Sequence, residues 1–122
     1  MLRVLVVDDE ATYRTSIRFA LSNHGFDVAT AEGIWDAVAE SRRQDPDLLI
    51  CDWILRDGYR GIDVLKVLRL SRSRLPGILI TGYPDDTDLG TRTSEFNQVI
   101  AKPFTIAQLL EVMNEVIASG DQ

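Results

Sequence analysis

The chain has 122 residues, which is enough for one domain with a single hydrophobic core. Hydrophobic residues make up 45% of it and charged residues 26%, a composition typical of globular proteins, and the formal net charge is −6. This acidic balance argues against direct nucleic-acid binding, which needs a basic face, and against attachment to an anionic membrane.

Five short apolar runs predict β-strands. The first, third and fourth runs are almost continuous in Val, Leu and Ile, the pattern of strands that are buried on both faces. The predicted strands span residues 2–7, 26–30, 48–51, 77–81 and 98–101.

Segments of helical length separate these strands, and four of them carry apolar residues at helical spacing. Their predicted apolar faces are Tyr13/Ile17/Ala20/Leu21, Ile34/Ala37/Val38/Ser41, Ile62/Leu65/Leu68 and Ile106/Leu109/Leu110/Met113/Ile117. The segment 84–94 contains Gly90, three threonines and one large apolar residue, which makes it a marginal helix. The strand–helix alternation predicts one α/β domain over residues 1–122, with a parallel sheet and helices on both faces.

Polar residues follow four of the predicted strands, at the sheet edge where functional groups gather in this fold class. Asp8-Asp9-Glu10 follow the first strand, Asp52 the third, Thr81-Gly82 end the fourth, and Lys102-Pro103 follow the fifth. The carboxylates form an all-oxygen set suited to Mg²⁺, and a bound cation removes the repulsion between adjacent acids. Carboxylate, metal, ammonium and hydroxyl together favour a phosphoryl-accepting site. Taken alone, the acidic triplet also fits the N-terminus of a helix.

Four motifs in this order resemble the receiver domain of two-component response regulators. They are VLVVDDE at 4–10, PDLLICDWIL at 46–55, GILITGY at 77–83 and IAKPFTIAQLL at 100–110, and the resemblance covers essentially the whole chain. It implies a flavodoxin-like, doubly wound, five-stranded parallel sheet of order 2-1-3-4-5.

The resemblance also implies a metal site. Asp9 would bind Mg²⁺ directly, together with Asp52 and the backbone carbonyl of Ile54, whereas Asp8 would bind it largely through water. Glu10 would begin a helix and support the site.

The phosphoryl group has its own set of implied residues. Asp52 would be the phosphoacceptor, Thr81 would donate a hydrogen bond to a phosphoryl oxygen, and Lys102 would pair with it. Gly82 and Pro103 would support the site, and Pro103 matches a position where the family often has a cis peptide bond.

The chain departs from the family pattern in two places. The loop after Asp52 lacks the usual proline, and Gly61 stands nine positions after Asp52, so that the loop is one residue longer than the common form. Val99 occupies the position where the family often has the aromatic ring that moves when the threonine engages phosphate. Either Phe96 or Tyr83 substitutes for that ring, or the segment 84–94 becomes ordered instead.

Single residues near the motifs also carry expectations. Asp57 belongs to an Asp-Gly turn, which we favour over a metal role. Trp53 follows the nucleophile directly and is expected at the mouth of the site. His24 lies at a predicted helix end, so the phosphoryl donor must come from another molecule.

The expected function is therefore a phosphorylatable switch, with self-phosphorylation and slow self-hydrolysis as its only chemistry. An aspartyl phosphatase would need a second acid where Ile54 stands, and a flavin carrier would not place Asp8-Asp9-Glu10 at its phosphate loop. A pseudo-receiver used only for protein docking and a phosphate sink in a phosphorelay remain as alternatives.

The implied partners are a histidine kinase or histidine phosphotransfer protein and a downstream protein target. A homodimer through segment 84–94 and the last helix is also possible, as is origin from a longer regulator. The apolar runs are shorter than a membrane span, the first residues lack signal-peptide features, and the single cysteine forms no internal disulfide. We expect a cytoplasmic location.

Overall fold

A computed structural model describes residues 1–82 and 95–120, and the predicted marginal helix at 84–94 lies outside the described residues. Five parallel strands form one sheet in the order β2-β1-β3-β4-β5, so the fold expected from the sequence is confirmed. The strands are β1 (Arg3–Val7), β2 (Asp27–Ala31), β3 (Leu48–Asp52), β4 (Gly77–Thr81) and β5 (Gln98–Ala101).

Four helices occur within the described residues: α1 (Ala11–Asn23), α2 (Ile34–Arg43), α3 (Gly61–Leu68) and α4 (Ile106–Gly120). Each lies where helical spacing predicted one. As expected, Gly25 terminates the first helix: it lies just after the cap residue His24, and its φ of +87° suits glycine. The Phe26 amide donates to the Leu21 carbonyl at 3.2 Å in a Schellman arrangement. The element bounds differ from prediction by a residue or two: β1 begins at residue 3 and β2 is shifted by one.

Side chains alternate between two cores, one on each face of the sheet. Leu5, Val7, Leu49 and Cys51 face a core that includes residues of α2 and α3, whereas their neighbours along the strands face a core shared with α1 and α4. All residues of β1, β3 and β4 are buried, as their continuous apolar runs predicted.

The apolar stripe of the last helix packs on the sheet with a small rotation from the predicted face. Leu109, Met113 and Val116 are fully buried, while Leu110 and Ile117 are half-buried. Trp53 departs further from expectation. It is completely buried in the core on the α2 side of the sheet, not placed at the mouth of the site.

Candidate functional site

The sheet order brings the predicted polar residues together at one edge. Strands β1, β3, β4 and β5 are consecutive neighbours in the sheet, and their carboxyl ends open on a cavity of about 350 Å³. The cavity is lined by Asp9, Glu10, Asp52, Ile54, Arg56, Thr81, Gly82 and Lys102.

Asp8 is the most deeply buried acid of the site, with no exposed surface. One carboxylate oxygen accepts a hydrogen bond from the Glu10 amide at 2.8 Å, and the other accepts one from Lys102 Nζ at 3.1 Å. A buried carboxylate is stable only with such partners. Lys102 is thereby tied to β1, although the two residues are 94 positions apart.

Asp52 ends β3 and is almost completely buried. Its Oδ1 accepts a hydrogen bond from the Trp53 amide at 2.9 Å, and its Oδ2 lies 3.5 Å from Lys102 Nζ. Burial and the charges of Asp8 and Asp9 raise the pKa of Asp52 to about 6, although Lys102 and the Trp53 amide oppose the shift. The carboxylate is therefore mostly ionised at neutral pH, but at an electrostatic cost.

Lys102 lies between three carboxylates. Its Nζ is 3.1 Å from Asp8, 3.5 Å from Asp52 and 3.9 Å from Glu10. Burial lowers the pKa of this amine, but the charges of Asp52, Asp8 and Glu10 raise it by more, so that it lies above its usual value. The side chain is a fixed ammonium at neutral pH.

The remaining predicted residues also lie at this edge. Thr81 is fully buried at the end of β4, its carbonyl accepts a hydrogen bond from the Lys102 amide at 2.7 Å, and Gly82 follows it at the surface. The Lys102–Pro103 peptide bond is cis, which agrees with the resemblance.

Asp9 and Ile54 lie on the side of the cavity formed by β1 and the loop after β3. Asp9 is partly exposed, and Ile54 lies opposite Arg60 in an isolated antiparallel bridge. The two hydrogen bonds of this bridge are made by neighbouring residues: the Gly61 amide donates to the Trp53 carbonyl, and the Leu55 amide donates to the Tyr59 carbonyl. In such a pair the Ile54 carbonyl points away from Arg60.

Three residues of the site were not predicted from the sequence. The ring of Tyr13 lies under Lys102, with Nζ 4.0 Å from the ring centroid, and Arg14 donates to the Asp8 carbonyl at 2.6 Å. Arg56 places Nε 3.7 Å from Asp9 Oδ2. Tyr13 and Arg14 lie three and four positions after Glu10, one turn into α1, and this spacing was the signal that sequence reasoning overlooked.

Asp57 lies in the same loop but outside the lining of the site cavity. Its Oδ1 accepts a hydrogen bond from the Tyr59 amide at 3.0 Å, and the following Gly58 has a φ of +89°. The expected Asp-Gly turn is thus present. Its Oδ2 has a further partner, the Ile34 amide at the start of α2, at 2.9 Å.

The oxygen donors of the site fit a hard cation. Carboxylate oxygens of Asp8, Asp9 and Glu10 lie within 4.8 Å of one another, and Asp52 faces the same cavity. The pKa of Asp52 is raised first by burial and then by the negative charges of Asp8 and Asp9, so these carboxylates repel one another. A divalent ion would relieve this repulsion.

The family model of the response regulator receiver domain matches residues 4–114. The chain belongs to this family. Phosphorylation is general among receiver domains, and these domains are generally not true enzymes.

Curated proteins similar to this receiver domain include both longer and equally short chains. It is 35% identical over 108 residues to the probable transcriptional regulatory protein TcrX of Mycobacterium tuberculosis, covering 88% of this chain and 46% of TcrX. It is 31% identical over 121 residues to PilH of Pseudomonas aeruginosa, covering 97% of this chain and 99% of PilH. The receiver domain thus spans about half the length of relatives such as TcrX and nearly all of PilH.

Solved structures show the same fold. A CheY-like receiver domain protein from Methanospirillum hungatei superposes with a TM-score of 0.91 at 24% identity, covering 99% of this chain and 97% of that one. TrrA of Thermotoga maritima, in complex with Mg²⁺-BeF, gives a TM-score of 0.83 at 27% identity, covering 95% and 99%. Within the described residues of this receiver domain, every helix is too short or too polar to cross a bilayer.

Proposed function

We propose that this receiver domain accepts a phosphoryl group onto Asp52 from a histidine kinase or a histidine phosphotransfer protein, and that phosphorylation changes a surface that binds a downstream protein. The observation that carries this proposal is the placement of the Asp52 carboxylate, buried at the sheet edge and 3.5 Å from Lys102 Nζ. We further propose that residues 1–122 act as one such unit in the cytoplasm.

The transfer is a nucleophilic displacement at phosphorus. A carboxylate oxygen of Asp52 attacks the phosphorus of the donor phosphohistidine, the P–N bond breaks, and the donor imidazole nitrogen keeps the electron pair and takes up a proton. Burial of Asp52 leaves few water molecules around the attacking oxygen. The Lys102 ammonium lies next to the position where the new phosphoryl charge appears, and the Thr81 hydroxyl supplies a hydrogen-bond donor at the same cavity.

Mg²⁺ is the cation that we propose for the acidic side of the cavity. Asp9, Asp52 and the Ile54 carbonyl would bind it directly, and Asp8 through water. When bound, the ion neutralises the oxygens of the transferred group. The TrrA structure contains Mg²⁺ with the phosphoryl mimic BeF, which supports the same chemistry in this chain.

The test is phosphorylation by acetyl phosphate, followed by intact-protein mass spectrometry. The wild-type chain should gain the mass of one phosphoryl group with Mg²⁺ and none with EDTA, and Asp52→Asn should gain none. Asp57→Asn, which changes a neighbouring carboxylate of the same loop, should still be modified. Modification of Asp52→Asn, or unmodified wild-type protein with Mg²⁺, would contradict the proposal and favour a docking-only domain.

A further inference from the structure

The loop between β3 and α3 brings a second cation to the site. Arg56 lines the site cavity together with Asp9 and Asp52, and its Nε lies 3.7 Å from Asp9 Oδ2. The same side chain lines an adjoining cavity of about 390 Å³, which contains Trp35 and Asp36. Arg56 therefore lies at the boundary between the two cavities.

Backbone contacts fix the loop from which Arg56 extends. The Leu55 amide donates to the Tyr59 carbonyl at 3.1 Å, and the Gly58 amide donates to the Leu55 carbonyl at 3.2 Å. Asp57, the next residue, is bound to the Ile34 amide of α2. The backbone at Arg56 is thus held in place, while 80% of the surface of its side chain is exposed.

The two cations of the site are held very differently. Lys102 is only 10% exposed and lies close to three carboxylates and the Tyr13 ring. Arg56 is 80% exposed, and its Nε lies 3.7 Å from an oxygen of Asp9, whose side chain is only 14% exposed. An ion pair this long, made by a solvated guanidinium, is weak. Lys102 is a permanent part of the site, whereas the Arg56 guanidinium is easily displaced.

We propose that Arg56 is a metal-displaceable counter-ion of Asp9. It neutralises this carboxylate when the site holds no metal, and it lowers the Mg²⁺ affinity because the guanidinium must leave Asp9 and because it repels the incoming dication. This inference rests on the proposed function, in which Asp9 is a direct metal ligand. Arg56 thereby sets the Mg²⁺ concentration at which the site becomes competent.

Isothermal titration calorimetry with MgCl₂ tests the inference. Arg56→Ala should lower the Mg²⁺ dissociation constant about three- to tenfold at low ionic strength, and the decrease should be smaller at high salt. Arg56→Lys, which keeps the charge, should remain within about twofold of wild type. Arg43→Ala is the matched control, because Arg43 pairs with Glu40 at 2.9 Å on the surface at the far end of α2. It should leave the dissociation constant unchanged.

A spectroscopic measurement follows the side chain directly. In ¹⁵N-labelled protein, the arginine Nε–H signal that is absent from Arg56→Lys is assigned to Arg56, and it should shift during the Mg²⁺ titration with the same dissociation constant. The signal of Arg43 should stay in place.

The outcomes separate the two proposals. Wild-type protein that binds no Mg²⁺ would overturn the proposed function. Wild-type protein that binds Mg²⁺ while Arg56→Ala binds it equally or less tightly would overturn the role of Arg56 alone. A change of equal size in Arg43→Ala would also overturn it, because net charge would then explain the effect.

Discussion

At the residue scale, the acids of the site differ in how their charges are compensated. Asp8 is buried and accepts hydrogen bonds from Lys102 and the Glu10 amide, while Asp9 is partly exposed and pairs with Arg56. Asp52 is also buried, but the Lys102 ammonium is farther from it, at 3.5 Å, and its carboxylate accepts a hydrogen bond from the Trp53 amide. The least compensated buried carboxylate is thus the proposed nucleophile, which is consistent with a group poised to react.

The raised pKa of Asp52 makes a prediction about stability without metal. The pKa is about 6 in the folded protein against 3.8 in an exposed chain, so the folded state holds the proton more tightly. The stability from this protonation is present below pH 3.8 and is lost as the pH rises through 6. Asp52→Asn carries no ionisable carboxyl at this position and therefore avoids this loss of stability. In EDTA it should match wild type near pH 4 and exceed it by about 1–2 kcal/mol at pH 7.5, below the ceiling of about 3 kcal/mol set by the full shift.

Urea unfolding monitored by circular dichroism at several pH values measures this difference. Asp45→Asn, which changes an exposed carboxylate, is the control for a change of charge alone. A difference between Asp52→Asn and wild type that does not vary with pH would contradict the electrostatic explanation.

At the element scale, the loop after β3 also begins a helix. The N-cap residue of α2 is Gly33, which has no side chain to offer, and the Asp57 carboxylate accepts the hydrogen bond of the Ile34 amide instead. A Cβ on Gly33 would lie 2.2 Å from Asp57 Oδ2, so glycine leaves the space that this carboxylate occupies. The backbone at Gly33 is extended, and this contact is therefore the structural reason for glycine there.

The cap predicts a coupling between two residues that are 24 positions apart in sequence. Asp57→Ala should lower the free energy of unfolding by about 1–2 kcal/mol, the usual cost of a lost N-cap, and Asp57→Asn by less because it keeps an acceptor oxygen. Gly33→Ala should destabilise wild-type protein by displacing Asp57.

Urea unfolding of the two single variants and the double variant checks the coupling. In the Asp57→Ala background, Gly33→Ala should cost clearly less than in wild type, because the clash is gone. Strictly additive free energies would show that Asp57 does not act as the cap of α2.

At the scale of the whole molecule, the sequence predicted those features that depend on local pattern and topology. Continuous apolar runs identified β1, β3 and β4, and the predicted sheet order brought Asp8, Asp52 and Lys102, which follows β5, to one edge. The period of two also predicts the buried side of Trp53, which continues the face of Leu49 and Cys51 past the end of β3. The expected exposure of Trp53 was wrong because this period was not extended beyond the strand.

Features that depend on contacts between distant segments could not be read from the sequence. The pairing of Arg56 with Asp9 and the capping of α2 by Asp57 depend on where a loop one residue longer than usual comes to lie. The residue that replaces the family's moving aromatic ring is equally hard to predict from the sequence. Phe96 is buried against Gly77 and serves as a core residue in this conformation, while Val99 is 40% exposed on the edge strand β5. Tyr83 lies outside the described residues.

The last prediction concerns global stability, because the proposed metal ligands lie at the ends of two strands, β1 and β3. The two groups of proposed ligands, Asp8 and Asp9 in one and Asp52 and Ile54 in the other, are more than forty residues apart in the chain. Mg²⁺ should therefore bind the folded protein and not the unfolded one. The free energy of unfolding should then rise with RT ln(1 + [Mg²⁺]/Kd), by about 2.7 kcal/mol at a hundredfold excess over Kd.

Urea unfolding in increasing MgCl₂, at ionic strength held constant with NaCl, measures this rise, with Kd taken from calorimetry. Asp9→Asn should flatten it by removing a direct ligand, whereas Asp45→Asn should leave it intact because that carboxylate lies outside the site cavity. An equal rise in wild type and Asp9→Asn would show that Mg²⁺ acts by general screening of an acidic protein. A rise that follows the calorimetric Kd and disappears with Asp9 would tie the stability of the whole sheet to the metal site at its edge.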